Sequence, residues 1–228
     1  VMSSEEEAWG LSAQADISLG DYTLTSITAY RTWDSTEIRE GDWLDAGPAY
    51  VGINQLDDYG PQTQDTFSQE LRIASPQDQR LRFVAGLFWM DQSHDIQQRY
   101  RIDGLASLLS VRGWEDTIWL TKQERKDHDE AVFGELYFDF TDKLTGTVGF
   151  RHFRADNALK GFFGFANGYA SQSSQPPENR YGEAACIVQF GADPANWPSF
   201  HGAPCTVFDK EGREKDTLGK FNLAYKFT

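Results

Sequence analysis

The stretch EAVFGELYFDFTDKLTGTVGFRHF, from Glu130 to Phe153, decides how this chain reads. Val132, Leu136, Phe138 and Phe140 take alternate positions, interrupted by Gly134. Three residues, Thr141, Asp142 and Lys143, then turn the chain, and Leu144, Val148 and Phe150 resume the alternation. A period of two on both sides of a tight turn predicts a β-hairpin. The opposite face carries Glu135, Tyr137 and Asp139 on one arm and Thr145, Thr147 and Arg151 on the other, so one side is apolar and the other wet. The open question is whether the apolar side meets a protein core or lipid.

Toward the N-terminus, Trp9, Leu11, Ala13, Ala15, Ile17 and Leu19 alternate with Gly10, Ser12, Gln14, Asp16 and Ser18, and Gly20-Asp21 makes a short turn. Tyr22 to Trp33 follows as a strand rich in Thr, Tyr and Ile, too mixed in polarity for its faces to be assigned. Thr66 to Ser75 sets Phe67, Leu71 and Ile73 against Ser68, Glu70 and Arg72. Pro76 to Gln79 is a short polar turn, and Leu81 to Gln92 places Leu81, Phe83, Ala85, Leu87 and Trp89 on one face, with Gly86 opposite to ease close packing. At the end of the chain Gly219, Phe221, Leu223, Tyr225 and Phe227 alternate with Lys220, Asn222, Ala224 and Lys226.

Between these strands the alternation decays over about 34–65, 98–127 and 156–215, which read as long loops; the second contains a helical-looking piece, IDGLASLLSVRGW. Tight turn and long loop thus succeed one another three times. In an antiparallel meander this sorts all short turns to one end of the sheet and all long loops to the other, as in outer-membrane barrels. Strands of ten or more residues also exceed the usual soluble length and suit a tilted membrane span. The expected fold is therefore all-β, an antiparallel up-and-down transmembrane β-barrel, present in part as about seven strands.

Composition is compatible with this. Mean hydropathy is -0.56 and no run of about eighteen apolar residues exists, so the sequence predicts no transmembrane helix, while a spanning β-strand leaves only a weak hydropathy signal. Aromatics reach 14%, rich for so polar a chain. The formal net charge of -14 repels phosphate backbones and argues against a nucleic-acid partner. The start, VMSSEEEAWG, lacks the basic and apolar regions of a signal peptide, so an export signal either lies upstream or does not exist. Cys186 and Cys205, 19 positions apart in one irregular stretch, read as a disulfide closing that loop in an oxidising compartment, with two unpaired thiols as the alternative.

LTSITAYR at 24–31, FSQELRIAS at 67–75, FVAGLFW at 83–89, VFGELYFDFTDKLTGTVGFRHF at 132–153 and FNLAYKF at 221–227, in this order and spacing, resemble the barrel of TonB-dependent outer-membrane receptors of Gram-negative bacteria. The resemblance covers the strands and leaves the loops without a counterpart. It implies a large barrel plugged by an N-terminal domain, energised through TonB, and importing a scarce small-molecule ligand such as a ferric siderophore. The sequence departs from that pattern in showing no plug, no TonB-contacting segment and only about seven strands, which points to a segment of a barrel. A secreted carbohydrate-binding β-sandwich and a passive porin are the competing readings.

No residue pattern points to catalysis. His94, His128, His152 and His201 lack metal-ligand spacing, and neither a GxSxG, a CxxC nor a phosphate-binding glycine loop is present. In the first long loop Asp42, Asp45, Asp57 and Asp58 are candidates for a cation or for plain solvation. Trp43, Tyr50 and Tyr59 there, with Phe162, Phe163, Phe165 and Tyr169 in the third, offer a stacking surface for a ligand or serve as interface anchors. Glu70, Arg72, Glu135 and Arg151 are expected on the lumen side, paired with one another or with a plug.

Overall fold

The structure, a computed structural model, describes residues 3–40, 56–168 and 175–227. Seven strands, β1 (Ser3–Leu19), β2 (Tyr22–Glu40), β3 (Leu56–Ala74), β4 (Leu81–Ile102), β5 (Thr117–Thr141), β6 (Leu144–Phe165) and β7 (Phe208–Tyr225), form one antiparallel sheet in chain order. Among the described residues one α-helix, α1 (Glu183–Phe190), lies in the connection between β6 and β7, flanked by two short 3-10 turns. The up-and-down order is that of a partial barrel. Among the described residues no second sheet covers either face, which removes the core that a β-sandwich requires.

The strands run well past the boundaries drawn from sequence. The expected loops at 34–65, 98–127 and 156–215 are entered from both sides by strand: β2 and β3 occupy 34–40 and 56–65, β4 and β5 occupy 98–102 and 117–127, and β6 and β7 occupy 156–165 and 208–215. Alternation disappears there although the ladder does not, because both faces are polar. Thr63 donates to Asp34 at 2.7 Å, Tyr30 to Asp65 at 2.6 Å and Gln98 to Asp58 at 2.9 Å across neighbouring strands. Pro61, taken as a loop marker, sits inside β3 opposite Thr36, and pairing with β4 lapses at Gly60 and Pro61. The piece expected as a loop helix is instead a series of turns, held by Asp116 Oδ1, which accepts the N–H groups of Gly104 and Leu105 at 2.9 and 3.1 Å.

The hairpin at Glu130 to Phe153 closes more tightly than expected. Thr141 pairs with Leu144, so Asp142 and Lys143 alone form the turn, and a bulge between Asp139 and Thr141 leaves Phe140 outside the ladder. Thr141 Oγ1 accepts the N–H of Lys143 at 3.2 Å and of Leu144 at 3.0 Å, which fixes this geometry.

Register carries the partition of faces across the sheet. Leu136 lies opposite Phe83 on β4 and Val148 on β6, Val148 opposite Phe221, Leu87 opposite Leu71, and Ile73 opposite Leu24, which pairs with Ile17. One continuous apolar face results. Its side chains are open, with Leu136 46%, Val148 56% and Phe150 52% exposed, whereas Thr147 on the polar face is 8% exposed. The faces of β2 are now assigned, with Leu24, Ser26, Thr28 and Tyr30 on the apolar side. The two hydroxyls there are not left bare: Thr28 donates to Gln69 Oε1 at 2.5 Å and Gln69 donates to Ser26 Oγ at 3.1 Å.

The apolar band has aromatic ends. Tyr22, Phe83, Phe138, Phe140 and Tyr225 lie toward the short turns, and Trp9, Tyr30, Phe67 and Trp89 toward the long connections, with Trp9 and Tyr30 rings 5.5 Å apart and Phe67 and Trp89 5.7 Å apart. Beyond Trp89 the same face becomes ionic: Arg154 reaches Glu130 and Asp156, and Lys160 reaches Asp209.

Gly86 has the packing role its sequence position suggests. A Cβ there would lie 2.6 Å from Phe133 Cζ and 2.8 Å from the Leu71 carbonyl oxygen, while one at Gly212 would meet nothing within 4 Å. Gly86→Ala is therefore expected to cost about 1–3 kcal/mol in urea unfolding of the intact protein in detergent, with Gly212→Ala far closer to neutral.

Candidate functional site

The polar face gathers the four charged residues expected there. Arg72 and Glu70 on β3 pair with each other at 3.4 Å. Glu135 on β5 accepts from Tyr137 at 2.5 Å and from Lys220 on β7, and Arg151 on β6 lies 5.3 Å over the Phe88 ring. The four share one face but do not form one cluster.

The first-loop candidates are divided by the strand they belong to. Asp57, Asp58 and Tyr59 lie in β3, so their side chains alternate between faces. Asp58 accepts from Gln98 on the polar side, while Asp57 and Tyr59 stand opposite Arg101 and Arg99 on the other. They therefore do not converge on one cation. Trp43, Tyr50, Tyr169, Asp42 and Asp45 lie outside the described residues.

At the long-connection end of β5 and β6 the rings do converge. Trp119 meets Phe165 edge-on with centroids 4.9 Å apart, Phe163 at 6.0 Å, Tyr181 at 5.6 Å and Tyr100 at 6.4 Å. Phe163 stacks on Tyr181 at 5.7 Å and touches Phe208 at 5.5 Å. Phe163 and Phe165 were legible as candidates, but Tyr100, Trp119, Tyr181 and Phe208 come from four separate segments, and only strand pairing unites them. Phe162 has a different place: fully buried, it packs with Leu120, Val111, Ala166, Trp197, Ala203 and the two cysteines in the core of the 166–207 connection. The disulfide joins Cys186 on α1 to Cys205 just before β7. Glu183 at the start of α1 ties this connection to its neighbours, its two oxygens accepting the N–H groups of Arg112 at 2.6 Å and Asn167 at 3.0 Å.

Beside the rings a cavity of about 690 Å³ is lined by Phe163, Phe208, Gln123, Gln189, Arg180 and Lys210. An aromatic wall with amide and cationic groups at its rim suits a flat, partly apolar ligand bearing acceptors. A second hollow, of about 830 Å³, lies on the opposite side among Tyr30, Asp65, Asp91, Lys126, His128 and Arg213. Its charges already answer one another: His128 Nδ1 is 2.7 Å from Asp91, Lys126 is 2.8 Å from Glu124, and the Arg213 guanidinium beside Asp156 holds that carboxyl below its ordinary range. The ring-lined cavity is accordingly the stronger candidate. Among the described residues no group of three or more His, Cys, Asp or Glu is placed to hold a metal ion.

No protein-family model matches the sequence, and no curated protein matches it. Among solved structures, the ferric yersiniabactin uptake receptor FyuA from Yersinia pestis is similar over 100% of this chain, with a TM-score of 0.63 and 14% identity. The shared feature is the fold. The chain spans 26% of that receptor's length, and its one up-and-down sheet is consistent with a partial barrel of a TonB-dependent receptor.

Removing the disulfide is expected to loosen the 166–207 connection while leaving the strands intact. Replacing Cys186 and Cys205 together by Ser should lower the local opening free energy of α1 by about 2–4 kcal/mol, read as faster hydrogen exchange there and unchanged exchange in β3 and β4.

Proposed function

We propose that this chain is part of an outer-membrane active-transport receptor of a Gram-negative bacterium, one that binds and imports a scarce ligand such as an iron-siderophore complex. The observation that carries this reading is the apolar face. On β2, β4 and β5 the band covers residues 22–30, 81–89 and 132–140, nine residues each, which is the length of a tilted membrane-spanning strand. Aromatic rings end the band on both sides and an ionic surface follows, as at the two interfaces of a bilayer. The short turns then lie on the periplasmic side and the long connections outside the cell. The fold shared with a siderophore uptake receptor supports the same reading.

In this arrangement the polar face looks into the lumen. Glu70, Arg72, Glu135 and Arg151 line it, and β1 and β7, whose outer edges are open among the described residues, pair with further strands of the receptor. A plug and TonB act through other parts of that protein. The ring-lined cavity lies at the outer rim, where a ligand with a flat aromatic or chelate surface first arrives.

Active import separates this from a passive pore. Cells relying on the intact protein for a ferric chelate should lose its accumulation when the inner-membrane proton gradient is collapsed, while binding at the surface persists; accumulation indifferent to the gradient would favour a porin. The membrane placement has its own test. Leu136 lies midway along the β5 band and Phe138 nearer the turn, so Leu136→Arg should cost about 2–4 kcal/mol in refolding into bilayers and Phe138→Arg less.

A further inference from the structure

From the ring cluster toward the middle of the strands, the polar face of β3 to β6 is built largely from amides. Gln98 lies opposite Thr121, and Thr121 opposite Phe163 of the ring-lined cavity. Further along the same face Gln62 and Gln123 flank Ile96, Gln64 pairs with His94, and Gln92 with Asp127. Gln123 also lines the cavity, so wall and cavity are continuous. At strand rise, the run from Gln98 to Gln92 is about 20 Å long.

These amides answer one another only in part. Gln64 Nε2 donates to Gln92 Oε1 at 3.1 Å, Gln92 Nε2 to Asp127 Oδ2 at 3.3 Å and Gln98 Nε2 to Asp58 Oδ2 at 2.9 Å, and Gln62 Oε1 meets His94 Nε2 at 3.0 Å. Among the described residues the other ends of Gln62, Gln64 and Gln98 have no partner, and Gln123 has none at either end. Asp58 Oδ1 is buried with no partner. The open ends are of both kinds: Gln62 offers donors, Gln64, Gln98 and Asp58 offer acceptors, and Gln123 offers both.

Charge nearly cancels along this wall. Arg125 and Asp127 pair at 2.8 Å, which leaves Asp58 at the outer end. Burial, and after it the Arg125 charge, lower the His94 pKa, so that ring is neutral at pH 7. A carboxylate or phosphate would leave the open carbonyls unmet, and an ammonium would leave the Gln62 donors unmet. Hydroxyls donate and accept, so a polyol meets both kinds. Trp33, opposite Gln64 on β2 and edge-on to His94 at 6.2 Å, and Phe163 at the outer end give ring faces against which the C–H side of a sugar packs. A peptide carries the same mixture of groups, but it docks on sheets by pairing with an edge strand, and the backbone ladder behind this wall is complete.

We infer that this wall binds a neutral sugar chain, with hydroxyls on Gln62, Gln64, Gln98, Gln123 and Asp58 and ring faces on Trp33 and Phe163. The sugar is either a free oligosaccharide or the glycosyl part of a metal chelate. This rests on the reading of the chain as an import receptor, whose ligand it narrows.

The test is calorimetric titration of the intact protein in a detergent without a sugar headgroup. The probes are short neutral oligosaccharides of glucose, mannose, galactose and xylose, a glucosylated ferric catecholate and its aglycone, and a short blocked neutral peptide. A sugar-bearing probe should bind, and Gln123→Leu should weaken that binding about tenfold, while Gln97→Leu, on the other face of β4 where Gln97 accepts from Lys122, leaves it unchanged. Binding of an oligosaccharide assigns the free sugar as the source. Binding of the glucosylated chelate, but of neither the oligosaccharides nor the aglycone, assigns the chelate-borne sugar. No binding by any sugar-bearing probe, equal binding by the aglycone or the peptide, or no effect of Gln123→Leu overturns the site. Such a failure leaves gradient-dependent accumulation untouched, and sugar binding would survive accumulation that ignores the gradient, so the two readings fail separately.

Discussion

Successive side chains of a strand point to opposite faces, and a shift of pairing by one residue would exchange the faces of a whole strand. Here the pairing keeps one parity from β1 to β7, through Ile17, Leu24, Ile73, Ala85, Gly134, Phe150 and Gly219 in one row. The apolar band, the polar face, the position of the rings and the separation of the two cavities all follow from that single phase. The tight turn at Asp142-Lys143 and the close contact at Gly86 hold it, the first by fixing which residues pair at the hairpin and the second by seating the Phe133 ring against the backbone of β3 and β4.

Along the strands the environment changes while the hydrogen-bond ladder does not. Within the band, polar atoms on the apolar face find partners among themselves, as Ser26, Thr28 and Gln69 do. Past Trp89 both faces are polar and ion pairs cross between strands, Arg154 to Glu130, Lys160 to Asp209 and Arg213 to Asp156. Such exposed pairs contribute little stability each, and their value lies in keeping long strands soluble and in register outside the band. At the far end the 166–207 connection has a small core of its own, built on Phe162, Leu120, Trp197 and the disulfide, which holds Tyr181 against Phe163 and Trp119.

Much of the fold was legible because hydrophobic alternation survives wherever one face is apolar. The strand interiors around Leu81–Trp89 and Val132–Phe140, the sorting of short and long connections, the packing role of Gly86 and the Cys186–Cys205 bond all follow from the sequence. Strand ends were not legible, since Asp91–Ile102 is polar on both sides and alternation carries no signal there. The bulge beside Phe140 depends on Thr141 capping the turn with its hydroxyl, a contact that three-residue spacing does not reveal. The candidate site was half visible. Phe163 and Phe162 are adjacent in sequence and equally aromatic, yet one lines a cavity and the other fills a core, and Trp119, Tyr100 and Phe208 reach the cavity through pairings between distant segments.

The orientation of the apolar face is the point on which the functional reading stands. Nitroxide labels placed singly at residues 132–138 of the intact protein in lipid bilayers measure it directly, through collision with oxygen, which concentrates in lipid, and with a water-soluble nickel chelate. Lipid contact predicts a period of two, with residues 132, 134, 136 and 138 open to oxygen and shielded from nickel, and 133, 135 and 137 the reverse. Nickel access equal at both sets, or highest at the even positions, would contradict a face turned toward the membrane.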